Sequence, residues 1–357
     1  MAAWVTGICL AHAQVLVSPL DRQVFQRNAK ESAEFNVAGT VPDGTTVVDV
    51  KADLAAAMRG KALPWTVVAQ GDQIKDGKFS AVLKLETGGW YQLTVRYRKS
   101  AAEPAGLAES KVEHVGVGDI FITAGQSNSV NYGNPRQKSV EPLSVYFDGK
   151  QYTPAADPIP DACGDGGTPW PILGDLISRT TMAPVCFRSA TVNWVRVREW
   201  VAGHGSGNIQ RLVDRAKGFG VGGFRAVLWV QGEADAGRPD FTPAAEYERD
   251  AKAMIEFSQK ELGWKVDWFV AGTCYCPPNG ANDWKPGMSA VLAAQQSLWD
   301  KGIARRGPDT NDIVGSAEYR HDGIHFGPRG LLIHAERWYA VLANHYQWLN
   351  PVTSVRK

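Results

Sequence analysis

Apolar and polar positions fall into two textures along the chain. From Val15 to about Val117 they form short alternating or β-branched runs: "AEFNVAGTV", "TTVVDVKADL", "PWTVVAQG", "FSAVLKLE" and "GWYQLTVRYRK". Turn-forming Pro42-Asp43-Gly44, Gly71-Asp72 and Gly88-Gly89 punctuate them. Such runs predict strands. Their regular spacing without helical periodicity predicts an Ig-like β-sandwich over residues 14–117. The Ala-, Pro- and Glu-rich "KSAAEPAGLAESK" predicts an exposed loop or linker.

Beyond about residue 118 the runs "VGDIFITAG", "APVCFRSATV", "FRAVLWVQG", "VDWFVAGTC" and "NDIVGSAE" are nearly continuous in apolar residues. Between them lie stretches of helical character: "WPILGDLISRT", "IQRLVDRAKGF", "AAEYERDAKAMIEFSQKELG" and "SAVLAAQQSLWDKG". Continuous apolar strands alternating with helices are what a parallel sheet covered on both faces requires. The expectation is a three-layer α/β/α domain, flavodoxin-like, with a five-stranded parallel sheet over residues 118–357.

A length of 357 residues fits two domains. Lys+Arg at 38 against Asp+Glu at 37 leave almost no net charge, and no basic patch points to nucleic acid or to an anionic membrane. No apolar run reaches the length of a membrane span. The opening "MAAWVTGICLAHAQ" resembles the apolar part of a secretory signal ending at Ala11-His12-Ala13, though its basic start is missing. Residues 1–13 are therefore expected to be a signal remnant, and the protein to be secreted or periplasmic. Its removal would leave Cys163, Cys186, Cys274 and Cys276, compatible with disulfides or with free buried thiols.

In open parallel sheets, sites form beyond the carboxyl ends of the strands. Three of those ends are rich in chemistry. Gly125-Gln126-Ser127-Asn128 follows the first run and Gln231-Gly232-Glu233-Ala234-Asp235 the third. Asp322-Gly323-Ile324-His325-Phe326 follows the fifth. A serine hydroxyl needs a base to take its proton, and the base needs an orienting group. His325 suits the base, and Asp322, three residues earlier, suits the orienting carboxylate. Each piece alone is weak, since Ser127 could be a helix cap and Asp-x-x-His a loop hydrogen bond. Their arrival together at successive strand ends is more specific.

Competing motifs lack their context. "GFGVGGF" has the Gly-x-Gly-x-x-Gly spacing at Gly218, Gly220 and Gly223, but it follows a helix and precedes a strand. Ser129 stands where a Gly-x-Ser-x-Gly elbow would need glycine. No His-x-x-x-His or paired cysteine spacing suggests a catalytic metal, and no organic cofactor is implied.

"AGQSN", "WVQGEAD" and "DGIHF" together resemble the first, third and fifth motif blocks of the SGNH hydrolases, within them the sialate O-acetylesterase-like carbohydrate acetylesterases. The resemblance implies a serine esterase acting on O-acetylated carbohydrate: Ser127 as nucleophile, His325 as base and then acid, and Asp322 as its carboxylate. It implies an oxyanion hole made by the Ser127 N–H, the Gln231 amide and, in the second block, an N–H at Asn193. Gln126, Asn128, Glu233 and Trp194 would bind substrate or organise the site. The second block departs from the family, with Asn193-Trp194 where a Gly-Gly pair is usual, while Trp200 matches. A shifted alignment would use Gly203, Gly205 and Gly207 instead. Among the 13 Trp residues, Trp170, Trp194, Trp229 and Trp284 lie in or near loops that could reach the site as sugar platforms, while most single Trp residues are expected to be structural. A non-catalytic carbohydrate-binding protein and a broader aryl or lipid esterase are the alternatives.

Overall fold

The computed structural model describes residues 15–55, 58–103, 105–220, 223–277 and 285–348. The expected signal segment, with Cys9, and the candidate platform Trp284 lie outside the described residues. The chain divides into two compact units. One runs through residue 23 and from Arg27 to Val117, and the other comprises Val24–Gln26 and Gly118 onward.

The first unit carries two antiparallel sheets. In one, β1 (Leu16–Ser18), β3 (Ser32–Thr40) and β6 (Lys78–Glu86) pair in the order β1-β3-β6. In the other, β4 (Val47–Leu54) lies between β5 (Leu63–Gln70) and β7 (Gly88–Arg98), which in turn pairs with the start of β8 (Ala108–Gly125). Each of the five runs read from the sequence lies on one of these strands. The linker does not extend as far as expected, because Ala108 already pairs with Tyr97. β2 (Gln23–Gln26) precedes β3.

Strand β8 records the change of texture in its own burial. Exposed and covered positions alternate up to His114, and from Val115 to Gly125 every residue is buried. That second half is the centre of the other unit's sheet. The order there is β10 (Tyr152–Pro154), β9 (Ser144–Phe147), β11 (Val185–Ser189), β8, β12 (Ala226–Val230), β13 (Asp267–Gly272) and β14 (Arg305–Asp309). All neighbours are parallel except β10, which is antiparallel to β9. The sheet is thus mixed, with six parallel strands instead of the five expected. Two differences account for this. "SVYF" forms β9, a buried run too short to stand out. The fifth expected run, "NDIVGSAE", is not a strand, and the edge position is taken by "RRGPD", whose charge and proline suit an edge but carry no apolar signal.

Helices α1 (Trp170–Thr181), α2 (Asn208–Lys217), α4 (Ala244–Leu262) and α5 (Lys285–Asp300) fall on the four helical stretches, and α3 (Glu233–Ala236) is a single turn after β12. A further helix, α6 (Pro328–His345), was not anticipated. Its buried residues Leu331, Ala335, Trp338 and Leu342 recur at helical spacing, and Ala335, Trp338 and Leu342 pack with Trp170, Phe187 and Phe269 in the main core.

His334 on α6 is fully buried and accepts a hydrogen bond from the Trp338 indole N–H at 2.9 Å, so its ring is neutral. Burial, reinforced by the positive charges of Arg320 and Arg337, pushes its pKa down to about 3. The unfolded chain takes up this proton below about pH 6.5 while the folded chain refuses it until about pH 3. Stability from this residue therefore falls as pH drops through that window, by about 4 kcal/mol at its lower end. Urea unfolding at pH 7 and pH 4 should show His334→Gln, which still accepts from Trp338, losing much less stability than the wild type over the same interval.

Candidate active site

The parallel pairing Val230↔Gly125 brings the ends of β8 and β12 level, and Gln126 N–H donates to the Val230 carbonyl at 2.9 Å. A Cβ at Gly125 would meet that carbonyl oxygen at 2.0 Å, and φ there is +125°, so both the space and the backbone demand glycine. Released from the strand, the chain makes a single 3₁₀ turn, Ser127–Ser129. Ser127 is 2% exposed, at the bottom of the site. The loop after β11 joins the same edge, with Val192 N–H donating to the Gly125 carbonyl at 3.1 Å.

Asp322 and His325 form one unit. Asp322 Oδ2 lies 2.6 Å from His325 Nδ1, and Oδ1 accepts from the backbone N–H groups of Ile324 (2.9 Å) and His325 (2.7 Å). Partial burial raises the Asp322 pKa, but these hydrogen bonds outweigh it and hold the carboxyl at about 2. An ionised carboxylate only accepts, so Nδ1 carries a proton, and in the neutral imidazole Nε2 presents a lone pair. The imidazole also packs against Tyr132, ring centres 5.2 Å apart and planes tilted by 30°.

Two contacts tie this loop to the serine turn: Asn128 Nδ2 reaches the Ile324 carbonyl at 3.5 Å, and Asn134 N–H donates to the Phe326 carbonyl at 2.9 Å. Asn193 Nδ2 donates to the Tyr132 hydroxyl at 2.8 Å, bringing the second-block loop to the same place. Ser127, Asn128, Asn193, Asp322 and His325 are thus gathered at one edge. No hydrogen bond joins Ser127 Oγ to His325 among the described residues, a looseness common in catalytic groups without substrate.

Gln231 does not take the predicted position. It is fully buried, and its Nε2 donates to Asp235 Oδ2 (2.5 Å), the Val195 carbonyl (3.0 Å) and Gln126 Oε1 (3.2 Å). Its Oε1 accepts from the Tyr247 hydroxyl at 2.9 Å. An amide nitrogen has two hydrogens, and here the protein's own acceptors use them, so an oxyanion donor from Gln231 is not supported. Gln231 instead locks the β12 turn, with Asp235 as hub: Asp235 also accepts from Val197 N–H and the Thr242 hydroxyl.

Gln126 is buried too, and its Oε1 accepts from Ala234 N–H. Glu233 is fully buried, with Oε1 accepting from Asn128 Nδ2 at 2.7 Å and from the Thr273 hydroxyl at 3.3 Å. Both therefore brace the site from beneath and cannot meet substrate directly. Trp170 and Trp229 are core residues, Trp170 donating to the Ser129 carbonyl and Trp229 packing edge-on against Trp200. They are not platforms. Trp194 is 40% exposed at a left-handed φ of +53°, with the Arg238 guanidinium 5.6 Å from its ring.

Tyr132 and Arg320 were not anticipated. Tyr132 had no motif to announce it, and Arg320 lay inside "SAEYRH" just before Asp322. His321, Asp322 and His325 bring potential metal-ligand atoms within 4.8 Å of one another. Their hydrogen bonds account for this set without an ion, since His321 Nε2 donates to the Tyr132 carbonyl at 2.9 Å. A cavity of about 460 Å³ lies against this loop, bordered by Tyr275, Ser316 and Gly323. A larger one of about 680 Å³, between β14 and α6, contains none of the candidate residues. The four described cysteines are free thiols, three buried and Cys163 exposed. No helix among the described residues is long and apolar enough to cross a membrane.

Residues 117–285 match the family model described as "Carbohydrate esterase, sialic acid-specific acetylesterase". The matched segment includes Ser127, Asn193, Gln231 and Glu233 and stops short of Asp322 and His325. A carbohydrate acetylesterase from Xanthomonas citri has 18% identity and a TM-score of 0.52, over 94% of this chain and 76% of that one. A protein from Arabidopsis thaliana has 19% identity and a TM-score of 0.49, over 63% of this chain and 98% of its own. An acetylxylan esterase from Geobacillus stearothermophilus has 10% identity and a TM-score of 0.42, over 66% and 98%. No protein of curated function matches the sequence. The resemblance to carbohydrate acetylesterases read from the motif blocks, and with it the carboxylic ester hydrolase class, is borne out, and the fold is mixed α/β.

The hydrogen bonds at Asp322 lead to a direct test. Its folded pKa is depressed, so the stability it contributes is fully present above the ordinary carboxylate range and is lost as pH falls towards 2. Carboxyl carbon NMR should show Asp322 titrating near pH 2, and replacing His325 with alanine should move that midpoint upward. A midpoint near 4 in the wild type would contradict the arrangement.

Proposed function

With residues 117–285 matching the sialic acid-specific acetylesterase family of carbohydrate esterases, we propose that the protein is a serine esterase that removes O-acetyl groups from a carbohydrate through an acyl-enzyme. The observation that carries this is the Asp322–His325 pair, with Nδ1 bound to the carboxylate and Nε2 left to accept a proton, on a loop fastened beside Ser127.

Ser127 Oγ attacks the acetyl carbon while His325 Nε2 takes the hydroxyl proton. The imidazolium is stabilised by Asp322, which stays ionised throughout. The oxyanion rests on the Ser127 N–H, at the start of its helical turn where N–H groups have no intrahelical partner, and on the Asn193 N–H. Collapse of the tetrahedral intermediate breaks the ester bond, and the imidazolium proton goes to the sugar oxygen. A water then gives its proton to His325, attacks the acetyl-Ser127 carbon and releases acetate, returning the proton to Ser127.

An acetyl group suits a site whose serine is nearly buried, and the exposed Trp194 ring offers a sugar face a stacking surface. The substrate class is acetylated sialic acid or an acetylated plant or microbial polysaccharide. Export from the cytoplasm belongs to the same proposal, on the strength of the apolar run ending at Ala11-His12-Ala13. A non-catalytic carbohydrate-binding protein is the reading favoured by the altered second block, and an aryl or lipid esterase is the remaining one.

Nitrophenyl acetate hydrolysis should be abolished in Ser127→Ala, by at least about 10³-fold in kcat. Absence of turnover in the wild type on this substrate and on a panel of acetylated glycans would favour the binding protein. Trp194→Ala should raise KM for the preferred acetylated oligosaccharide about tenfold, equivalent to about 1.4 kcal/mol. The same variant should leave nitrophenyl acetate hydrolysis within about threefold. An equal loss on both substrates, or a preference for long acyl chains, would count against a carbohydrate substrate.

A further inference from the structure

Ser127 and His325 share no hydrogen bond, so something else must set the distance between them. The Ile324 carbonyl, one residue before His325, is a point at which the serine segment and the His325 loop are joined. Asn128, one residue after Ser127, reaches it from one side at 3.5 Å, and Arg320 Nη1 donates to it from another. A carbonyl oxygen has two lone pairs and accommodates both donors.

Arg320 is 4% exposed, and each of its three guanidinium nitrogens donates a hydrogen bond. Nε donates to the Ile313 carbonyl at 2.8 Å and Nη2 to the Thr310 carbonyl at 2.9 Å. The group lies 4.8 Å from the Tyr275 ring and 4.5 Å from the Phe326 ring. One planar fork thus binds the segment leaving β14 to the loop that carries Asp322 and His325. Its buried charge is answered chiefly by Glu233, the same carboxylate that holds Asn128. Glu233 Oε2 has no hydrogen-bond partner, leaving electrostatic attraction to offset its burial.

We propose that Arg320 is a positioning residue for the esterase reaction: with Asn128 it fixes the Ile324 carbonyl, and through it the approach of the His325 imidazole to Ser127. Glu233 is the common anchor of both donors. The inference rests on the serine esterase function set out above. Arg320 touches neither substrate nor the reacting atoms. Lysine would keep the charge but not the three-way fork.

The test compares wild type, Arg320→Lys and Asn128→Ala, using nitrophenyl acetate kinetics and the rate at which a fluorophosphonate labels Ser127. Displacing a catalytic group by about 1 Å costs on the order of 10²-fold. Arg320→Lys should lower kcat and the labelling rate together by about 10- to 100-fold, with KM within about threefold. The midpoint of the acid limb of activity should stay in place, because the Asp322–His325 pair and the local positive charge are kept. Asn128→Ala should lower both rates by less, and the double variant should lose less than the product of the two single effects. Folded Arg320→Lys with unchanged kcat and labelling would overturn the proposal. If that variant does not fold, undiminished labelling in Asn128→Ala overturns it instead. A wild type that neither turns over nor is labelled overturns the esterase function itself, a result distinguishable from the others.

Discussion

The contact of the Gly125 backbone with the Val230 carbonyl is the constraint from which the site follows. At the end of β8 the backbone turns at a positive φ with a Cβ position only 2.0 Å from the Val230 carbonyl, so glycine is required where the two strands end level. Once level, the two strands release their chains into turns that share partners. Gln126 takes hydrogen bonds from the β12 turn, and the loop after β11 bonds to Gly125 itself. The serine is therefore placed by backbone geometry before any catalytic side chain is considered.

Beneath that edge lies an unusually polar interior. Gln126, Asn128, Gln231, Glu233 and Asp235 are all buried, and their polar atoms bond to one another, to backbone and to the Tyr247 and Thr242 hydroxyls, leaving Gln126 Nε2, Asn128 Oδ1 and Glu233 Oε2 without hydrogen-bond partners among the described residues. Burial raises the Asp235 pKa, opposed by its hydrogen bonds from Thr242, Gln231 and Val197. Such a network is costly if any member fails, because an orphaned polar group in the interior finds no water. The motif "WVQGEAD" is accordingly a structural unit supporting the serine turn, with its polar side chains turned inward.

The strands and helices with strong apolar signals were legible in the sequence, and so was the Asp-x-x-His spacing that lets Asp322 reach His325 on one loop. What escaped has physical causes. β14 is an edge strand made of charge, glycine and proline, so periodicity was silent there. α6 begins at Pro328 and buries His334 among its apolar residues, which blurs its stripe. Gln231 has the residue type of an oxyanion donor, but the direction of a side chain is decided by partners far along the chain, here Val195, Asp235 and Tyr247. Trp170 and Trp229 likewise have the chemistry of sugar platforms and the packing of core residues.

Trp194 holds a backbone conformation that costs a bulky L-residue about 1–2 kcal/mol, one that a glycine would take without strain. A glycine at position 194 would therefore be the more stable choice at this turn. This chain instead carries a large, partly exposed ring there, at the expense of its own folding free energy. The loop after β11 can thus be read as a local exchange of robustness for a rim surface, and a variant selected only for thermal endurance would be expected to give that surface up.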